Sequence, residues 1–70
     1  MAYSKGDKIE WDWGDGTAQG VVQETYSRNI TRKIKGTEVT RNGSEDDPAL
    51  LIEQSDGDEV LKLASEVRKA

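Results

Sequence analysis

The chain contains no cysteine, no histidine and no phenylalanine, and only one proline. Without cysteine there are no disulfides and no thiolate metal sites. Without histidine the commonest general base and the commonest zinc ligand are both missing. The acidic segments lack the spacing of a calcium-binding loop, so neither a metal nor another cofactor is expected. No apolar run approaches the roughly 20 residues of a membrane span, and no signal-peptide pattern precedes Gly6. A cytoplasmic protein with no membrane partner is the expectation. The chain has 70 residues, so a single domain spanning 1–70 is expected, ordered from about residue 5 to residue 68. That is near the lower limit for a fold without disulfide or metal. Such a domain has little room for a shielded cleft, and no carboxylate pair, nucleophile or phosphate-cradling loop stands out. Catalysis is not expected.

Half of the four aromatic residues lie one residue apart, at Trp11 and Trp13. Side chains of a strand alternate between faces, so Ile9, Trp11 and Trp13 share one side of the segment Lys8 to Trp13. Gly14-Asp15-Gly16 follows as a tight turn. Thr17 to Tyr26 reads as a second strand, in which Gly20 marks a bend or bulge. Arg28 to Lys35 reads as a third, with a bulge at Gly36 returning Val39 to the core side within Thr37 to Arg41. Ile30 and Ile34 also fit one helical turn. Asn42 to Pro48 is an acidic loop, and Ala49 to Gln54 is a nearly continuous apolar strand whose inward residue is either Leu50 or Leu51. Ser55 to Asp58 turns into a last strand, Glu59 to Leu63, and residues 64–70 suit a short helical turn. Turns at about 8–14-residue spacing indicate an all-β protein, and five short strands around one small core describe an SH3-like barrel. The expected core is Ile9, Val22, Ile34, Val39, Leu51, Ile52 and Leu61, with Trp11 packed against it. With no heptad pattern and no large apolar patch, a monomer is expected.

The net charge of −4 is unevenly spread. Arg28, Arg32, Lys33, Lys35 and Arg41 face only Glu38 within 28–41, a local +4, which leaves −8 for the rest. Such a segment suits a phosphate backbone, and nucleic acid is the second partner class expected. The acidity of the whole chain argues against a dedicated nucleic-acid binder.

Two stretches carry a resemblance. The first is Lys5-Gly6-Asp7-x-Ile9-x-Trp11-x-Trp13-Gly14-x-Gly16-Thr17-Ala18-x-Gly20-x-Val22. The second runs Ile34-Lys35-Gly36-x-x-Val39-x-Arg41-Asn42-Gly43-Ser44-x-Asp46-x-Pro48-Ala49 and continues through Ile52-Glu53-Gln54-x-Asp56-Gly57 and Val60-Leu61-Lys62. Together they resemble the hypervirulence-associated Tudor-domain family, small proteins for which no chemistry is implied by the label. The resemblance implies a Tudor-type, SH3-like barrel. Tudor-type barrels often hold methylated lysine or arginine in a cage of aromatics, through cation–π attraction. Here Trp13 and Tyr26, with Asp12 and Asp15 to complement a cation, form the candidate site. The expected function is a binding module for a peptide or protein segment, of which a cationic or methylated one fits this rim. Trp11 is expected in the core, and Trp13, at a strand end, partly exposed at the rim.

Overall fold

A computed structural model describes residues 3–70. It is mostly β, with strands β1 (Lys8–Trp13), β2 (Gly16–Tyr26), β3 (Asn29–Ile34), β4 (Thr37–Asn42), β5 (Ala49–Gln54), β6 (Glu59–Leu63) and β7 (Arg68–Lys69). A single turn of 3-10 helix, Ala64–Glu66, precedes β7. Five strands form one antiparallel sheet in the order β6-β5-β2-β1-β7, and β3 and β4 form a second. The expected five strands are thus seven in two sheets, and no hydrogen-bonded ladder joins the sheets among the described residues. No helix among those residues is long and apolar enough to cross a membrane.

The largest departure from the sequence reading lies at Lys35-Gly36. The expected bulge is a two-residue hairpin loop, closed by the pair Ile34↔Thr37. Lys35 and Gly36 both have positive φ, 51° and 79°, the conformation that matches the right-handed twist of flanking strands. Glycine adopts it freely, whereas a left-handed lysine costs roughly 1–2 kcal/mol. The hairpin turns Ile30, Arg32, Ile34, Val39 and Arg41 to one face, because directly opposed residues of an antiparallel pair share a side. On the other face Thr31 and Thr40 share a hydroxyl hydrogen bond of 2.8 Å.

Gly20 does not bulge. It sits buried against β5, where a Cβ would run into Ile52 Cγ2 and the Glu53 carbonyl oxygen. The register instead shifts between Val22 and Glu24. The extra residue, Gln23, turns the end of β2 away from the first half of the strand.

The apolar run of β5 is buried on both faces. Leu50 and Ile52 join Tyr3, Ile9, Trp11, Val22, Ala64 and Val67 in one cluster. Ala49 and Leu51 join Leu61 in another, covered by half-buried Tyr26, Ile30, Ile34, Val39 and Leu63. The single expected core is therefore two, with β5 between them, and both Leu50 and Leu51 point inward. At the C-terminus the 3-10 turn is shorter than expected, and the chain then pairs with β1 through Ile9↔Lys69 and Glu10↔Arg68. Asp47 of the acidic loop accepts hydrogen bonds from the Ser65 N–H and hydroxyl, both 2.8 Å, and so clasps that turn.

Candidate functional site

Trp11 and Trp13 share a face of β1 yet have opposite fates. Trp11 pairs with Ala18 in mid-ladder and is 3% exposed. Trp13 occupies the last rung, opposite Gly16, which has no side chain to cover it. It is 74% exposed, the only exposed large apolar side chain among the described residues. Gly14, at φ 55°, supplies the positive φ of the two-residue loop beyond it.

Trp13 borders a groove of about 520 Å³ between the end of β1, the β3–β4 hairpin and β6. Trp11, Ile34, Val39, Val60 and Leu61 supply its apolar lining. Lys35, Arg41, Lys62, Asp56 and Asp58 supply its charges. Another hollow of about 410 Å³, beside Gly20, Glu53 and Gly57, has no aromatic in its lining. Two ion pairs fix the hairpin over the groove. Lys35 Nζ lies 2.6 Å from Asp58 Oδ2, and hydrogen bonding to that carboxylate raises the lysine pKa above its ordinary value. Arg41 Nε donates to Glu66 Oε1 at 3.1 Å. The same carboxylate oxygen accepts the Leu63 backbone N–H at 2.8 Å.

The other candidate residues stand elsewhere. Tyr26 ends β2, whereas Trp13 pairs with the first residue of that strand. Tyr26 does not line the groove. Its ring packs on the second cluster and carries the guanidinium groups of Arg28 and Arg32, 5.6 and 5.9 Å from its centroid. Asp12 alternates to the side opposite Trp13, where Asp12 Oδ1 and Glu10 Oε2 accept hydrogen bonds from Arg68. These contacts, led by the one to Asp12, raise the Arg68 pKa. Asp15 is exposed in the turn and has no ion pair among the described residues. Trp13 is therefore the one member of the expected set that meets a groove.

The five bases of 28–41 do not line one strip. Arg28 and Arg32 lie over Tyr26, Lys35 and Arg41 are ion-paired beside the groove, and Lys33 projects from the outer face opposite Glu38. The sequence reading missed Lys62 and Asp58 at the groove. Lys62 Nζ lies 5.8 Å from the centroid of the Trp11 ring. Among the described residues no three acidic side chains cluster to hold a metal ion.

No curated protein and no solved structure matches the chain. A family model does, over residues 6–67, and it is described as the Tudor domain of hypervirulence-associated proteins. With nearly the whole length matched, the chain belongs to the family of hypervirulence-associated Tudor domains.

Proposed function

We propose that the chain is a non-catalytic binding module that takes a peptide or protein segment in the groove beside Trp13. The observation that carries this reading is the 74% exposure of Trp13 at the mouth of a groove with both apolar and charged lining. Membership in a Tudor-domain family supports a small binding module. Large rigid aromatics are what interfaces use as anchors. An indole offers on the order of 150–250 Å², so covering most of it contributes roughly 3–4 kcal/mol before the costs of ordering a partner. Asp15 is exposed in the adjoining turn, free to meet a partner seated on the ring.

A backbone NMR titration with a panel of acidic, neutral, basic and methyl-lysine peptides tests the reading. The Trp13 indole N–H and the amides of β6 are expected to shift together, and Trp13→Ala to abolish binding while the fold persists. Shifts confined to residues outside the groove would overturn it. A short single-stranded RNA in the same panel probes the Arg28–Arg32 surface, where a phosphate contact would show as salt-sensitive shifts.

A further inference from the structure

The charges of the groove are not equivalent. Lys35 is neutralised by Asp58 and Arg41 by Glu66. Lys62 has no carboxylate partner among the described residues, although it lines the groove. Its pairing with Leu50 turns it to the same face as Trp11, and its ammonium rests over the indole at 5.8 Å. A cation bound against these tryptophans from outside would meet a resident cation already in place. Ring and ammonium attract, so removing Lys62 from that position costs free energy, and a second positive charge beside it is repelled.

We propose that the groove takes an acidic peptide segment, in which an apolar side chain covers Trp13 and a neighbouring carboxylate meets Lys62. This rests on the groove reading above and names its partner class. The arrangement is directional. Asp56 and Asp58 stand at the turn end of β6, whereas Lys62 stands toward its other end, with Arg41 also in the lining. A strand advances roughly 3.3 Å per residue, so these ends are more than one side chain apart. A segment with its carboxylate at the Lys62 end and no acidic side chain at the Asp56 end matches both ends, whereas one with a lysine at the Lys62 end is repelled there. Charge complementarity of this kind selects the partner and speeds encounter more than it adds affinity.

The test uses the intact chain and four ten-residue peptides with a central leucine and, on one side of it only, glutamate, glutamine, lysine or trimethyl-lysine. Binding is read from the Trp13 indole N–H resonance. The glutamate peptide is expected to bind roughly fivefold tighter than the glutamine peptide, with the advantage shrinking at high salt. Lys62→Gln is expected to erase that ratio, Lys62→Arg to keep it, and Asp56→Asn to leave it or enlarge it. A ratio unchanged in Lys62→Gln, or tighter binding of either lysine peptide to the parent chain, overturns the acidic assignment while leaving the groove intact. If none of the four peptides moves the Trp13 resonance, both the groove reading and this assignment fall. Unchanged thermal melts of the Lys62 variants separate loss of recognition from loss of fold.

Discussion

The two faces of β5 are closed by different means. The cluster around Leu50 and Ile52 is wrapped by strands of a single hydrogen-bonded sheet, with Tyr3 and the Ala64–Val67 segment over it. The cluster around Leu51 and Leu61 is roofed by a hairpin that shares no ladder with that sheet and is tied down at Lys35 and Arg41. Its roof residues, Ile30, Ile34 and Val39, are only half-buried. Exposed ion pairs contribute little, whereas a ladder satisfies every backbone group it includes. The first face is therefore the stability of the molecule. The groove opens where the loosely held roof meets that face, between Trp11, Trp13 and Lys62 on one side and Ile34 and Val39 on the other.

The sharpest way to break this contrast is to hollow out each side in turn. Leu50, fully buried, is expected to cost about 3–5 kcal/mol on replacement by alanine, enough to unfold much of a domain this small. Leu51→Ala is expected at the lower end, about 2–3 kcal/mol, because the roof settles into the space. Urea titrations that rank Leu51 above Leu50 would reverse the assignment of the two faces. The tryptophans give the next largest difference. Trp11→Ala should cost about 3–5 kcal/mol of folding stability, and Trp13→Ala less than about 1 kcal/mol. Quenching of single-tryptophan variants by a water-soluble quencher checks the premise, since equal shielding would put Trp13 in the core.

Asp47→Ala removes two exposed hydrogen bonds to Ser65 and should cost about 1 kcal/mol, read as a lowered melting temperature. Native-state hydrogen exchange sharpens the comparison without mutation. Amides of β3 and β4 should exchange faster than those of β5, and uniform protection would mean that the roof opens only when everything does. The smallest effect belongs to the Lys35–Asp58 tie. Because the folded-state lysine pKa is raised, its contribution is full below the unfolded value of about 10.4 and is lost as pH rises through the higher folded value. The stability difference between the parent chain and Lys35→Met should therefore be constant near neutrality and vanish in strong alkali.

Strand positions in the sequence were legible wherever glycine-bearing turns bounded an alternating run. Gly14-Asp15 and Ser55-Asp56-Gly57-Asp58 placed β1, β2, β5 and β6 to within a residue or so. The β3–β4 hairpin was misread because lysine is not a residue that announces a left-handed turn. The doubling of the core was hidden for a different reason. Ala49-Leu50-Leu51-Ile52 shows that both faces are apolar but not what covers each. Exposure of Trp13 followed from its place at a strand end. Its surroundings did not, since Asp58 and Lys62, 45 and 49 residues further along the chain, come to the same groove only through the strand pairings.

The ends of the five-stranded sheet bear on how the molecule behaves when crowded. Its outer strands are β7, only two residues long, and β6, which lies under the hairpin and has the Leu63 N–H taken by Glu66. An unpaired strand margin is a template on which further copies can stack; β7 offers only two residues of it, and Glu66 shortens what the five residues of β6 offer. The cation holding Glu66 in place is Arg41, so the ion pair that fastens the roof also keeps a strand margin from recruiting its own kind.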